Sequence, residues 1–194
     1  AHSGQVCISV QRILVHRRVA DDFIARFLRI TETLKIGHPL EASTQVSSLI
    51  TAAEATRAER WIRYAEAGGA HLLAGGVRTG ATLTPAVLSG VEVEADLWRH
   101  EAFAPVACFR TFETLDEAIS LMNASPYGLQ AGIFTRGLEA AFEAACQAKV
   151  GGFLINDVPQ YRLDHMPYGG VKLSGSGREG PKYAIEEMTE PKLI

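Results

Sequence analysis

The sequence predicts an α/β fold, with helices on both faces of a layered and largely parallel sheet, and three observations predict it. Short apolar, β-branched runs alternate with helical-period segments along the whole chain. Glycine pairs punctuate the joins at Gly68-Gly69 and Gly151-Gly152. A capping-box pattern, Thr114-Leu-Asp-Glu117, opens one of the helical segments. No internal repeat interrupts this alternation.

The elements follow in chain order. Ile13, Leu14 and Val15 form a strand-like run, and Val19, Phe23, Phe27, Leu28 and Leu34 then recur at helical spacing. Residues 36–49 are rich in Gly, Pro, Ser and Thr and read as an irregular connection. A second helix is expected over 52–67, ended by Gly68-Gly69, with a strand beginning at Leu72 and Leu73. Thr82 to Leu88 is extended but contains Pro85, which has no amide to give to a ladder, so a sheet edge or a bulge is expected there. Residues 106–112 are extended, a helix runs from the capping box to about Asn123, and a strand covers 129–134. A helix over 138–149 and an apolar strand over 153–155 come next. Residues 157–180 then form a long polar, Gly-rich loop, with a short helix behind it over 181–188.

Composition narrows the function classes. In 194 residues the chain can bury a full core, and 47% hydrophobic residues with a net charge of −3 place it among soluble globular proteins. Acidic residues slightly outnumber scattered basic ones, which leaves no basic patch of the kind a nucleic-acid binder needs. No apolar run approaches the ~20 residues that span a bilayer, so no membrane partner is expected. Cys7, Cys108 and Cys146 are odd in number and lack CxxC spacing, which argues against disulfides and structural zinc and for a reducing, cytoplasmic setting. His2, His16, His71 and His100 sit at element ends, Cys108 and Cys146 lie in strand and helix patterns that suit core packing, and no metal site is expected.

Gly4-Gln-Val-Cys7 sets a cysteine after a flexible glycine and before an apolar run. Two readings are open: a buried small hydrophobe, or a thiolate nucleophile with a glycine beside it that lets backbone approach a substrate. A Cys–His pair of the protease kind is the rival chemistry, and no local signature accompanies it. Two further motifs stand in order behind the first: Glu101-Ala-Phe103-Ala-Pro105-Val106, and Pro167-Tyr-Gly-Gly-Val-Lys172-Leu-Ser-Gly175-Ser-Gly177-Arg178-Glu179. With Tyr127-Gly-Leu129 and the Gly152–Asn156 strand end, these resemble the motifs of the aldehyde dehydrogenase superfamily, in that superfamily's order and over nearly the whole chain.

The resemblance implies a fold of the aldehyde dehydrogenase catalytic-domain type and an NAD(P)-dependent oxidation of an aldehyde to a carboxylic acid. Cys7 matches the family nucleophile, which forms a thiohemiacetal and then, after hydride leaves to the nicotinamide, a thioester that water hydrolyses. Glu101 and Phe103 match the pair that holds the nicotinamide ribose of NAD or NADP. Ala104 departs from the family's usual glycine, which costs backbone freedom if φ is positive there. Gly37-His-Pro39 and Ser47-Ser48 depart from the usual Gly-Asp-Pro and Gly-Pro on a surface-type connection.

Further expectations concern extent and substrate. Residues 1–170 are expected to form the cysteine-bearing catalytic domain, and 171–194 a carboxyl-terminal segment that returns toward a cofactor domain and a homo-oligomer interface. The chain lacks an initiator Met, a glycine-rich phosphate site and the family's general-base glutamate, so it is expected to be a fragment of the enzyme, inactive alone. The loop ahead of Pro167, Arg162-Leu-Asp-His165-Met, resembles the branch that includes dehydrogenases of phosphonoacetaldehyde, lactaldehyde and similar small aldehydes. That resemblance puts Arg162 and His165 near a small-molecule aldehyde, an anionic one suiting the arginine's fork of donors. Arg162 could equally pair with Asp157 or Asp164 as a clamp. Two alternatives stay open: a CoA-acylating aldehyde dehydrogenase, and a non-catalytic assembly domain of the same fold.

Overall fold

Strand β1 (Arg12–His16) runs directly into helix α1 (Arg17–Glu32), capped where His16 Nδ1 accepts from the Arg18 amide at 3.1 Å. These and all other features belong to a computed structural model that describes residues 2–194. Helix α2 (Ala52–Ala67) starts where the Thr51 hydroxyl accepts from the Glu54 amide and stops at Gly68. Five pieces follow: β2 (His71–Ala74), the short hairpin β3 (Arg78–Thr79) and β4 (Thr82–Leu83), β5 (Ala86–Ser89) and the one-turn helix α3 (Asp96–Arg99). Strand β6 (Val106–Phe112) then enters the middle of the sheet.

The main sheet has the order β1-β6-β5-β2, with β1, β6 and β5 parallel and β2 antiparallel to β5. Strand pleating sends alternate side chains to opposite faces, and both faces are covered. Ala86 and Leu88 of β5, with Val106 and Cys108 of β6, pack in one cluster with Ala55, Ala58 and Ile62 of α2. Val87 of β5, Phe109 of β6 and Val15 of β1 pack in a second with Ala20 of α1. Phe27 and Phe23 meet Phe109 edge-on, at centroid distances of 5.0 and 6.0 Å. A layered sheet with helices on both faces is thus present. The expectation of an edge or a bulge for 82–88 is corrected in its first half: β5 is an interior strand, its ladder with β2 shifts register opposite Val87 and Leu88, and Pro85 falls in the gap between β4 and β5.

By internal contacts the chain divides into one unit up to Ala118 and a second of Ile119–Ile194, the division falling inside helix α4 (Leu115–Asn123). The predicted capping box starts α4: Thr114 Oγ1 accepts from the Glu117 amide, and the Glu117 carboxylate accepts from the Glu113 amide at 2.9 Å. The second unit contains β7 (Tyr127–Gly128), β8 (Gln130–Ile133), α5 (Leu138–Gln147), β9 (Gly152–Ile155), β10 (Val171–Lys172) and α6 (Pro181–Met188). Helix α5 connects the parallel pair β8–β9, and β10 pairs antiparallel with β7.

The long loop is therefore not structureless. Besides β10, a bridge joins Tyr168 to Glu179, tying the two ends of the Pro-Tyr-Gly-Gly to Arg-Glu motif together. Asn123 closes another seam, donating to Gln147 O and accepting from the Lys149 amide at 2.8 Å each, while Lys172 Nζ donates to Asn123 O and Ser125 O. An ammonium on those carbonyls complements the negative end of α4. No helix among the described residues is long and apolar enough to cross a membrane.

Candidate active site

Cys7 stands in a turn between a single 3-10 turn (His2–Gly4) and β1, with the Ser9 amide donating to Val6 O at 2.9 Å, and the side chain is exposed. Two side chains pin the approach to this turn. Ser3 Oγ accepts from the Ser47 amide at 2.8 Å, and Gln5 accepts from the Ile50 amide at 2.7 Å while donating to Ser48 O. Ser47-Ser48, read in the sequence as a surface connection, is thus the floor on which the Gly-Gln-Val-Cys segment rests.

The second motif meets the first through backbone. Gly4 (φ +78°) lies so close to the loop ahead of β6 that a Cβ on it would stand 2.0 Å from the Ala104 carbonyl oxygen. Only glycine accepts both that conformation and that approach. Gly4, Val6, Ser9, Gln11, Glu101, Phe103, Ala104 and Val106 line one small cleft. Phe103, 40% exposed, holds a left-handed backbone (φ 48°), whereas Ala104 does not. The glycine-to-alanine departure at 104 therefore costs nothing through φ, and the strain lies one residue earlier. Glu101 is exposed, and its carboxylate has no hydrogen-bond or ion-pair partner among the described residues.

Three side chains hold the loop that carries Glu101. Gln11 Nε2 donates to Leu97 O (2.7 Å) and His100 O (2.9 Å), and its Oε1 accepts from the Ala102 amide (2.8 Å). Arg12 donates to Trp98 O and Arg99 O. From α2, Arg57 donates to Ala102 O at 2.8 Å, paired with Glu54 and lying over the Trp61 ring. Sequence reasoning singled out none of the three. A polar residue next to a strand, or on a helix face, looks like solvated surface until the loop it binds is in place.

In the second unit Arg162 pairs with Glu179 at 2.9 Å and stacks over the Tyr168 ring at 4.2 Å. The carboxylate partner is thus neither Asp157 nor Asp164. The one ion-pair contact uses Nη2, and no described residue takes the rest of the guanidinium fork. His165 is exposed in a turn of the same segment.

The other cysteines differ from Cys7. Cys108 is fully buried in β6, and desolvation pushes its thiol pKa up to about 12, against a smaller lowering by Arg12. Cys146, expected in the core, is exposed. Helix α5 buries only the Ala141–Ala144 stripe, and residue 146 lies off it. Among the described residues no group of three His, Cys, Asp or Glu side chains could hold a metal ion.

The whole chain, residues 1–194, matches the model of the aldehyde dehydrogenase family. The chain belongs to that family. It is 47% identical over 193 residues to a 3-sulfolactaldehyde dehydrogenase of Priestia aryabhattai, covering 100% of this chain and 40% of that protein. A lactaldehyde dehydrogenase of Methanococcus aeolicus is 44% identical, with 100% of this chain and 41% of that protein covered. Among solved structures, aldehyde dehydrogenase 21 of Physcomitrella patens in complex with the reaction product succinate superposes with a TM-score of 0.95 at 41% identity, over 97% of this chain and 39% of that one. Glyceraldehyde-3-phosphate dehydrogenase of Methanocaldococcus jannaschii complexed with NADP gives 0.92 at 41%, over 96% and 41%. The chain spans about two fifths of the length of the curated relatives it matches. The expected α/β fold of the aldehyde dehydrogenase catalytic-domain type is the fold found.

Proposed function

We propose that the intact protein oxidises a small, anionic aldehyde to its carboxylic acid with NAD or NADP, and that Cys7 is the nucleophile. The observation that carries this reading is the backbone contact of Gly4 with Ala104, which puts the turn of an exposed cysteine beside the Glu101–Phe103 loop on one cleft. The Cys7 sulfur would bond to the aldehyde carbonyl carbon, and hydrolysis of the thioester formed there would release the acid and restore the thiol. Two relatives and neighbours support an oxidation of this kind by their names alone: a dehydrogenase of sulfolactaldehyde and one crystallised with its product succinate.

The residues present fit one end of a dinucleotide. An exposed carboxylate with no partner among the described residues can accept hydrogen bonds from ribose hydroxyls, and an exposed ring held in a strained backbone two residues on can pack against the nicotinamide end. When bound, the oxidised nicotinamide would supply the hydride acceptor. Glu101 and Phe103 would orient it against the carbon bonded to Cys7, and the tied loop would keep that orientation fixed. Arg162, its guanidinium set by Tyr168 and Glu179, would receive the substrate's anionic group on the donors left open, with His165 beside it in the same segment.

The test is an assay of the intact protein with sulfolactaldehyde, succinic semialdehyde and lactaldehyde, each with NAD, NADP and CoA. Acid formation that needs NAD or NADP but not CoA is the expected result. Acyl-CoA as the product would transfer the reading to the CoA-acylating branch, and no reduced cofactor with any aldehyde would refute it.

A further inference from the structure

We propose that Gln11 is the positioning residue of the cofactor edge, an inference that rests on the reading of Glu101 and Phe103 given above. A primary amide has two N–H donors and one carbonyl acceptor. Gln11 spends all three functions on one loop: both donors on Leu97 O and His100 O, and the acceptor on the Ala102 amide. Those groups flank Glu101 on both sides, so the amide clamps the backbone from which the carboxylate projects. Arg57, on α2, holds the Ala102 carbonyl, so residue 102 is tied through both its backbone groups.

Gln11 also connects this loop to the nucleophile. It lies four residues after Cys7 on the same segment, lines the shared cleft, and its own carbonyl accepts from the Cys108 amide at 2.7 Å where β6 pairs with β1. One side chain therefore ties the segment that carries the cysteine to the Glu101–Phe103 rim, beside the backbone contact of Gly4 with Ala104. A carboxylate there would face two carbonyl oxygens without donors, and an apolar side chain would leave three backbone groups to find water. Neither would touch the reacting atoms, and both would let the rim drift from its place relative to Cys7.

Two measurements on the intact protein test this, with Gln11→Met as the main variant and Gln11→Asn, which keeps the amide on a shorter stem, as the second. In the unliganded protein, amide hydrogen exchange at Ala102 should quicken about tenfold or more in Gln11→Met, while the β6 amides keep their protection. In pre-steady-state kinetics, Gln11→Met and Glu101→Gln should each slow hydride transfer about tenfold, and the double variant should be no slower than the slower single one. If Gln11→Met loses β6 protection, Gln11→Asn carries the same cycle. Unchanged exchange at Ala102, or a double variant slowed by the product of the two single effects, would overturn the inference. A Glu101→Gln protein with an unchanged hydride-transfer rate would instead remove the reading of Glu101, and the inference with it.

Discussion

Gly4 and Ala104 touch through backbone alone: a Cβ at residue 4 would stand 2.0 Å from the Ala104 carbonyl oxygen, at a φ of +78° that disfavours any side chain. This contact joins the cysteine turn to the Glu101–Phe103 loop. Gly4→Ala must pay for both the clash and the left-handed backbone, so a loss of more than about 2 kcal/mol is expected in chemical denaturation. A loss below about 0.5 kcal/mol would show that the two motifs are not packed as described.

Phe103 should separate stability from function. The residue is 40% exposed and its φ is 48°, so Phe103→Gly gives up little packing and relieves strain. Stability should stay within about 1 kcal/mol of the parent, against the roughly 3–5 kcal/mol of a core Phe truncation. Affinity for NAD or NADP should fall in the same protein. Destabilisation of core size, or unchanged cofactor affinity, would mean that the ring is a structural plug.

Cys108 carries a pH dependence with a defined sign. Burial raises its thiol from 9.0 to about 12, so the folded state keeps a proton that the unfolded chain gives up. The contribution is intact below pH 9 and is lost as pH rises toward 12. Denaturation midpoints across that window should fall more steeply in the parent than in Cys108→Ala. At pH 8, iodoacetamide should label Cys7 and Cys146 in the folded protein and spare Cys108, since only the first two are exposed. Equal labelling of all three would contradict the burial of β6.

Much of the scaffold was legible because local signals and tertiary packing agree. Helix α2 begins after Thr51 and ends before the glycine pair as its cap pattern requires, and β6 occupies the predicted 106–112. The misreadings have one cause, that packing was judged from single residues. Pro85 looked like an edge or bulge signal although it only separates two short strands, and Cys146 looked buried as a cysteine within a helix pattern, although the buried stripe of that helix is narrow. In the candidate site, Cys7, Glu101 and Phe103 stood out by motif. Gln11, Arg12 and Arg57 did not, since the loop groups they hold are backbone groups 45 to 91 positions away, which carry no side-chain signature.

Arg162 predicts a substrate preference. Its ion pair with Glu179 and its stack on Tyr168 set its plane while leaving donors for an anion. Arg162→Ala should raise KM for a sulfonated or carboxylated aldehyde about tenfold or more, and for lactaldehyde less than about twofold, because only the charged substrates lose an ionic contact. Equal losses for both would leave Arg162 as the clamp of the Tyr168–Glu179 bridge.

The proposed reaction depends on Cys7 being the nucleophile, and the direct measurement is the intact Cys7→Ala protein assayed for both dehydrogenase and ester-hydrolysing activity beside Cys108→Ala and Cys146→Ala. One thiolate carrying both reactions predicts that Cys7→Ala loses the two together, by about a thousandfold or more, while the other two variants keep most of each. Cys7→Ala retaining most of its dehydrogenase activity would contradict the account.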